Sequence, residues 1–222
     1  HMGRPRKWSD RDCLDAVLFI LDSGCRWNSL PELFPPSTTV FDRFSLWVKQ
    51  GVFQKILARL RKRMPSSQMF YLDSTVKPAK KGQTHFKSGE RQKHKTSLIT
   101  DEAGLPVNLT IHAGGRHDLY ACGSLPYSIA KSSVLVADRG YDARWLSQKL
   151  KKYGITSRIR KRSWKGRRKS PKNHLGRWKI ERTFAWFHKF RKLLVRWEYK
   201  PSHWKAFWLL GCVQLLLPKL TE

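Results

Sequence analysis

The sequence predicts an α/β protein in which a sheet domain stands behind an all-α head. Three observations carry that prediction. Residues 3–65 read as three amphipathic helices; short, β-prone apolar runs begin after Pro65; and those runs alternate with helical periodicity to the end of the chain. The opening His1-Met2 pair reads as a cloning remnant and is set aside.

The head begins with a basic arm at 3–8, "GRPRKW", which carries Arg4, Arg6 and Lys7. Ser9 and Asp12 have the spacing of a capping box, so a helix is expected over roughly 10–23, with Leu14, Val17, Leu18 and Leu21 on its apolar side and Gly24 as its stop. A turn-rich connector follows. Ser37 is expected to cap a second helix bearing Val40, Phe41, Phe44, Trp47 and Val48, and a third helix spans about 52–63. Such a module is either a helix-turn-helix-like DNA reader or a plain helical packing or dimerisation unit.

In the sheet region, "MFYLDST" (69–75) predicts a strand that ends in Asp73. "HKTSLITD" and "LPVNLTIHAGG" predict two more, joined by a turn at "DEAG". "HDLYACGSL" reads as a short helix, and "SSVLVADRGYD" holds a strand from Val134 to Ala137 that ends in Asp138. A helix in "ARWLSQKLKKYG", a fifth strand in "ITSRI" and two closing helices complete the order. The apolar run at 207–217 contains Gln214 and is shorter than the ~20 residues a membrane span needs, so it predicts a buried helix. Helical and strand spacing places most of the ten tryptophans in the core.

Charge narrows the function. The chain has 45 Lys+Arg against 16 Asp+Glu, a formal net charge of +29. A folded domain this basic repels itself unless it has a polyanionic partner. Nucleic acid fits, and no membrane partner is expected. Cys13, Cys25, Cys122 and Cys212 are scattered with no CxxC pair, which suggests reduced thiols in a cytoplasmic protein. The loop 160–174 mixes Trp164 with Arg160, Lys161, Arg162, Lys165, Arg167, Arg168 and Lys169, the composition of a segment that follows a nucleic-acid backbone.

Acids are scarce here, so their placement is informative. Asp73 and Asp138 each follow an apolar run at an expected strand end, where α/β sheets carry functional groups. Each alone could be a turn-former. Side by side they would repel unless a cation lay between them, and hard oxygen ligands select Mg²⁺ or Mn²⁺. Glu181 sits in the helix "GRWKIERTFAWFHKF", where Arg177, Glu181 and His188 share one strip beside the apolar stripe. It is either a third ligand or the i,i+4 ion-pair partner of Arg177. A basic RNA-associated protein would have no need of acids so placed.

"YLDST", "VADRGYD" and "ERTFAWFHKFRKLL", with Arg177 four residues before the Glu, together resemble the DDE transposases of bacterial insertion sequences, and among them the insertion sequence five family. The resemblance covers nearly the whole chain. It implies an RNase H-like, mixed-sheet catalytic domain at 66–222 and a helix-turn-helix-like DNA-binding domain at 3–65. It assigns Asp73, Asp138 and Glu181 as catalytic acids and ligands of two Mg²⁺ or Mn²⁺ ions, and Arg177 as the signature arginine. The wider signature has a Tyr three residues before that Arg and a Lys seven after the Glu. This chain has His174 and His188 there, which leaves Lys189 or Arg191 to make the signature's phosphate contact, with His188 among the expected DNA-binding residues. His117-Asp118 resembles a recurrent pair after the third strand, with a helix cap by Asp118 as the plainer role.

The implied activity is cleavage of transposon ends and joining of the freed 3′-OH to target DNA. A nuclease without strand transfer and a non-catalytic DNA-binding derivative are its rivals. The implied partners are double-stranded DNA, at both terminal inverted repeats and target, and a second copy of the chain when assembled on DNA. The implied location is the bacterial nucleoid.

Overall fold

The computed structural model describes residues 7–80, 93–123, 129–161 and 176–220. In the head, α1 (Asp10–Ser23) opens with a reciprocal capping box. The Asp12 amide donates to Ser9 Oγ at 3.1 Å, and the Ser9 amide donates to Asp12 Oδ2 at 3.0 Å. Gly24 ends it at φ +71°, a conformation that costs other residues a Cβ clash. The second helix, α2 (Ser37–Lys49), corrects the expected cap: Pro36 holds the N-cap position and Ser37 is already helical. Proline's fixed φ turns the chain into the helix, so no side-chain oxygen is needed there. After Gly51, α3 (Val52–Arg61) completes the head.

Five strands form one sheet: β1 (Met69–Pro78), β2 (Lys93–Thr100), β3 (Pro106–Ala113), β4 (Val134–Ala137) and β5 (Thr156–Ile159). Their order is β3-β2-β1-β4-β5. The first three make an antiparallel meander, while β4 runs parallel to β1 and β5 parallel to β4. This mixed sheet has the RNase H-like arrangement. Asp101 makes the β2–β3 turn, its Oδ1 accepting from the amides of Ala103 and Leu105. The first strand differs from expectation. It does not stop at Asp73 but continues to Pro78, because β2 pairs with it through Pro78↔Lys93.

Alternation sorts the strands onto two faces. Tyr71, Leu98, Leu109 and Val136 face one core, and Phe70, Leu72, Ile99 and Leu135 the other. The helix α4 (Arg144–Lys152) and a 3₁₀ turn at Asp118–Gly123 cover the second face. On the first face lie α5 (Trp178–Phe187) and α6 (Pro201–Leu216), together with the apolar sides of α1, α2 and α3. The head therefore shares a core with the sheet. The 207–217 run is largely buried along α6, with Leu217 exposed in the turn after it, and no helix among the described residues is long and apolar enough to cross a membrane.

Most of the described tryptophans belong to the core as expected, with Trp27, Trp47 and Trp186 packed partly buried against the cluster that holds Trp204 and Trp208. Of the nine described, only Trp204 and Trp208 are fully buried, while Trp145, Trp178 and Trp197 are exposed. Helical spacing places a ring on a stripe, but does not say whether a neighbour covers that stripe.

Two consequences can be measured. Phe44 of α2 has no exposed surface and stacks on Phe207 of α6 at 4.8 Å. Phe44→Ala is expected to cost about 3–5 kcal/mol. Urea unfolding followed by both far-UV circular dichroism and tryptophan fluorescence should show one coincident transition, because head and sheet share that core. The second consequence concerns the buried His94, whose Nε2 accepts from the Arg196 guanidinium. Burial, reinforced by the Arg196 charge, holds His94 down to about 4 against its usual 6.5. The folded state therefore binds fewer protons than the unfolded state between those values. Its contribution is complete above the usual value and lost as pH falls through the window, by about 3 kcal/mol. Urea midpoints from pH 7 to pH 4 should fall, with a shallower slope in His94→Gln.

Candidate active site

The site is built by strand register. Leu72 of β1 pairs with Ala137 of β4, and the next residue on each strand is an aspartate. Asp73 thus lies mid-strand, at the point where the parallel pairing stops, with Asp138 beside it. Each carboxylate is steadied by its own turn: Asp73 Oδ1 accepts from the Ser74 amide at 2.8 Å, and Asp138 Oδ1 from the Gly140 amide at 3.2 Å. The Asp138 turn is packed tightly from behind. A Cβ on Gly140 would stand 3.2 Å from Asp118 Oδ2. Ser74 Oγ meets the Tyr141 hydroxyl and Ser97 Oγ, each at 2.7 Å, so the far face of β1 is tied to the same turn.

The third acid comes from α5. Gly176, at φ +72°, brings the chain against Tyr71, whose hydroxyl would lie 2.8 Å from any Cβ there. Arg177 follows at once and projects between the acids. Its guanidinium lies 3.3 Å from Asp73 Oδ2, 3.6 Å from Asp138 Oδ2 and 3.8 Å from Glu181 Oε1. The helix is held down by Thr183 Oγ1, which donates to the Gly104 carbonyl at 2.5 Å, and by Arg182, which donates to the Ala103 carbonyl at 2.8 Å. Glu181 is thus both the i,i+4 partner of Arg177 and a neighbour of the strand acids. Its side chain is 62% exposed, so it rims the site from the solvent side.

Three carboxylates around one guanidinium form an anionic focus on a cationic protein. Burial pushes Asp73 above the usual carboxylate range; the Ser74 amide and Arg177 pull it down, and the Asp138 charge raises it again. Among the described residues no group of three or more His, Cys, Asp or Glu lies at metal-holding separation. The acids converge on a guanidinium instead. Their donor set, oxygen only and open on one side, is nevertheless the chemistry that hard divalent ions take.

The other expected contacts divide into groups. His188 is exposed, and its Nε2 lies 3.0 Å from Lys77 Nζ. Lys77 was missed from sequence because β1 was expected to end at Asp73; extended by four residues, the alternation Tyr71-Asp73-Thr75-Lys77 puts it on the acid face. Lys189 acts electrostatically on Asp22 of α1, and Arg191 packs against Gly24. Both therefore turn toward the head. Lys161 pairs with Asp142 at 3.1 Å, and Arg160 and Lys7 are exposed. Asp118 accepts from Lys95 at 3.0 Å, and His117 Nδ1 lies 3.3 Å from the Leu119 amide. Arg4, Arg6, Arg162, Trp164, Lys165, Arg167, Arg168, Lys169 and His174 lie outside the described residues.

Comparison with known proteins supplies the family. A model described as "Transposase DDE domain" matches residues 65–216, and one described as "Putative transposase of IS4/5 family" matches residues 1–57. The "Putative transposase for insertion sequence element IS402" of Burkholderia cepacia is 32% identical over 131 residues, which is 53% of this chain and 60% of that protein. The "Uncharacterized protein y4sN" of Sinorhizobium fredii is 34% identical over 73 residues, 33% of this chain and 58% of that one. The matches thus span about three-fifths of these relatives. Among solved structures, the Mos1 strand transfer complex aligns over 100% of this chain and 81% of its own, at 11% identity and TM-score 0.36. The catalytic core of BIV integrase covers 68% and 84%, at 13% identity and TM-score 0.37. Those two likenesses are remote and add nothing to the topology. With a transposase model matched across its whole sheet region, from the first strand to the last helix, this chain belongs to the transposase DDE domain family.

Proposed function

We propose that this protein is a transposase that binds the ends of an insertion sequence, cuts them by metal-assisted phosphodiester hydrolysis and joins the freed 3′-OH to target DNA. The observation that carries the proposal is the convergence of Asp73, Asp138 and Glu181 within 4 Å of one guanidinium. Asp73, Asp138 and Glu181 are the residues that would hold two Mg²⁺ or Mn²⁺ ions. Such ions, when bound, lower the pKa of an attacking water and neutralise charge on the leaving oxygen.

The chain's own groups do the rest. Arg177 offers two guanidinium nitrogens at the rim of the acids, the fork geometry that grips a phosphate. Lys77, whose pKa burial lowers, and His188 stand together beyond it, where they can steady the strand. In the joining step the same acids hold the site while a DNA 3′-OH takes the place of water. Residues 3–65 are proposed as the DNA-binding domain, and the cationic surface as the track for duplex DNA, with steep salt dependence. Two ends must be brought together, so a homodimer assembled on DNA is expected. A nucleoid location in a bacterial cytoplasm follows from that substrate.

The decisive experiment incubates a plasmid carrying the element's native ends with protein and Mn²⁺ and maps nicks and joined products. Wild type is expected to give both. Glu181→Gln, Asp73→Asn and Asp138→Asn should each lose at least about 100-fold in cutting, with DNA affinity retained. Nicks without joined products would make the protein a nuclease. Binding without any cut would leave it a DNA-binding derivative.

Arg177 gives a separate prediction, because its positive charge and a divalent ion are attracted to the same three carboxylates. In titration calorimetry without DNA, Arg177→Ala is expected to bind Mn²⁺ about tenfold more tightly than wild type, a modest share of the interaction of unit charges at 4 Å. It should still cut DNA more slowly, because phosphate loses its fork. Weaker Mn²⁺ binding in this variant would show that Arg177 supports the acids rather than competing for them.

A further inference from the structure

One cavity lies away from the acids. About 720 Å³ in volume, it opens between the head's connector and the segment that leads into α6. That size is ordinary for a small-molecule site, about 300–1,000 Å³. None of its lining residues belongs to the acid site.

Three features of the cavity point to one ligand chemistry. Its walls are aromatic: Trp27 and Phe41 come from the head, and Trp197 and Tyr199 from the opposite side. Trp197 and Tyr199 remain 47% and 63% exposed, so their rings are open to a planar group. Its mouth is cationic, with Arg26 and Lys200 both exposed. At its base lies a buried carboxylate, Glu198, whose side chain is only 6% exposed. One oxygen, Oε1, is taken by Lys192 Nζ at 2.8 Å and Trp27 Nε1 at 3.3 Å. The other, Oε2, has His203 Nδ1 at 4.0 Å, beyond hydrogen-bond reach. That oxygen lines the cavity with acceptor capacity to spare, and a ligand N–H can use it.

We infer that this cavity is a nucleotide-binding site that takes an amino-bearing base between its aromatic walls, the exocyclic amine donating to Glu198 Oε2 and the phosphate meeting Arg26 and Lys200. Carboxylates accept from exocyclic amines in this way, and aromatic side chains stack on any base. Thymine has no exocyclic amine, and its one ring N–H is flanked by two carbonyl oxygens that a carboxylate repels, so the site discriminates against it. The same chemistry can come from a free nucleotide or from an unpaired nucleotide in a DNA strand. The inference does not depend on the acids being catalytic.

The test uses the whole chain in two arms. Calorimetry with dCMP, dAMP and dTMP reads free nucleotides. Fluorescence anisotropy reads a duplex with one unpaired cytosine against the same duplex fully paired and against one with an unpaired thymine. Affinity at least tenfold higher for dCMP and dAMP than for dTMP identifies a free-nucleotide site. A matching preference for the unpaired cytosine alone identifies a strand-borne nucleotide. In either arm Trp197→Ala should lose the preference about tenfold, and Glu198→Gln should erase the discrimination against thymine. Trp197 is exposed and leaves the Lys192–Glu198 pair intact, so its loss of binding is not a loss of fold; a circular dichroism melt confirms this. Equal affinity for dCMP and dTMP with no preference among the duplexes overturns the inference. So does a preference that survives in Trp197→Ala. Affinity for the fully paired duplex reports the DNA-binding proposal separately, and its failure would leave the first arm standing.

Discussion

The site depends on one constraint, the parallel register of β1 and β4. Side chains alternate along a strand, so a slip of one residue would send Asp73 or Asp138 to the opposite face of the sheet. The pairing of Tyr71 with Val136 and Leu72 with Ala137 prevents that slip, because each pair buries apolar groups on a different face. Two carboxylates are thereby held side by side whether or not they repel. Packing energy from both cores holds the repelling charges in place, and a positive group must answer them.

Arg177 is that group in this structure, and its position is also a consequence of packing. Gly176 touches Tyr71, Thr183 is tied to the β2–β3 turn, and Ile180 and Phe187 are buried under the helix. Once α5 is docked in this way, Arg177 and Glu181, one turn apart, face the strand acids. The head matters here as well. Its aromatic residues, Phe44 above all, pack on α6, which in turn packs on Phe187 through Trp208 at 4.9 Å. The helical head thus supports the layer that holds Glu181.

Much of this was legible in the sequence. The α1 capping box, the Asp101 turn and all five strands could be read from local chemistry, because caps, turns and short apolar runs are decided by residues close in sequence. The three acids stood out because a chain with 45 cationic residues has few acids to misplace. The length of β1 was not legible. "STVKP" has no apolar run of its own and is strand only because β2 pairs with it, and so Lys77 escaped notice. Three tryptophans, Trp145, Trp178 and Trp197, are exposed for a related reason: burial belongs to the neighbour, and Trp197 is left 47% exposed.

By itself, then, the sequence determined the order of elements, the charge that calls for a polyanion and which acids could do chemistry, since each is a property of composition or of residues a few positions apart. Only the tertiary structure decided that Asp73 lies mid-strand, that Arg177 rather than Lys189 or Arg191 answers the acids, and that a buried Glu198 faces an aromatic cavity. Those outcomes bring together residues such as Asp73 and Arg177, 104 positions apart, or Trp27 and Glu198, 171 apart. Strand register and helix docking decide such meetings, and both are set by the whole core at once.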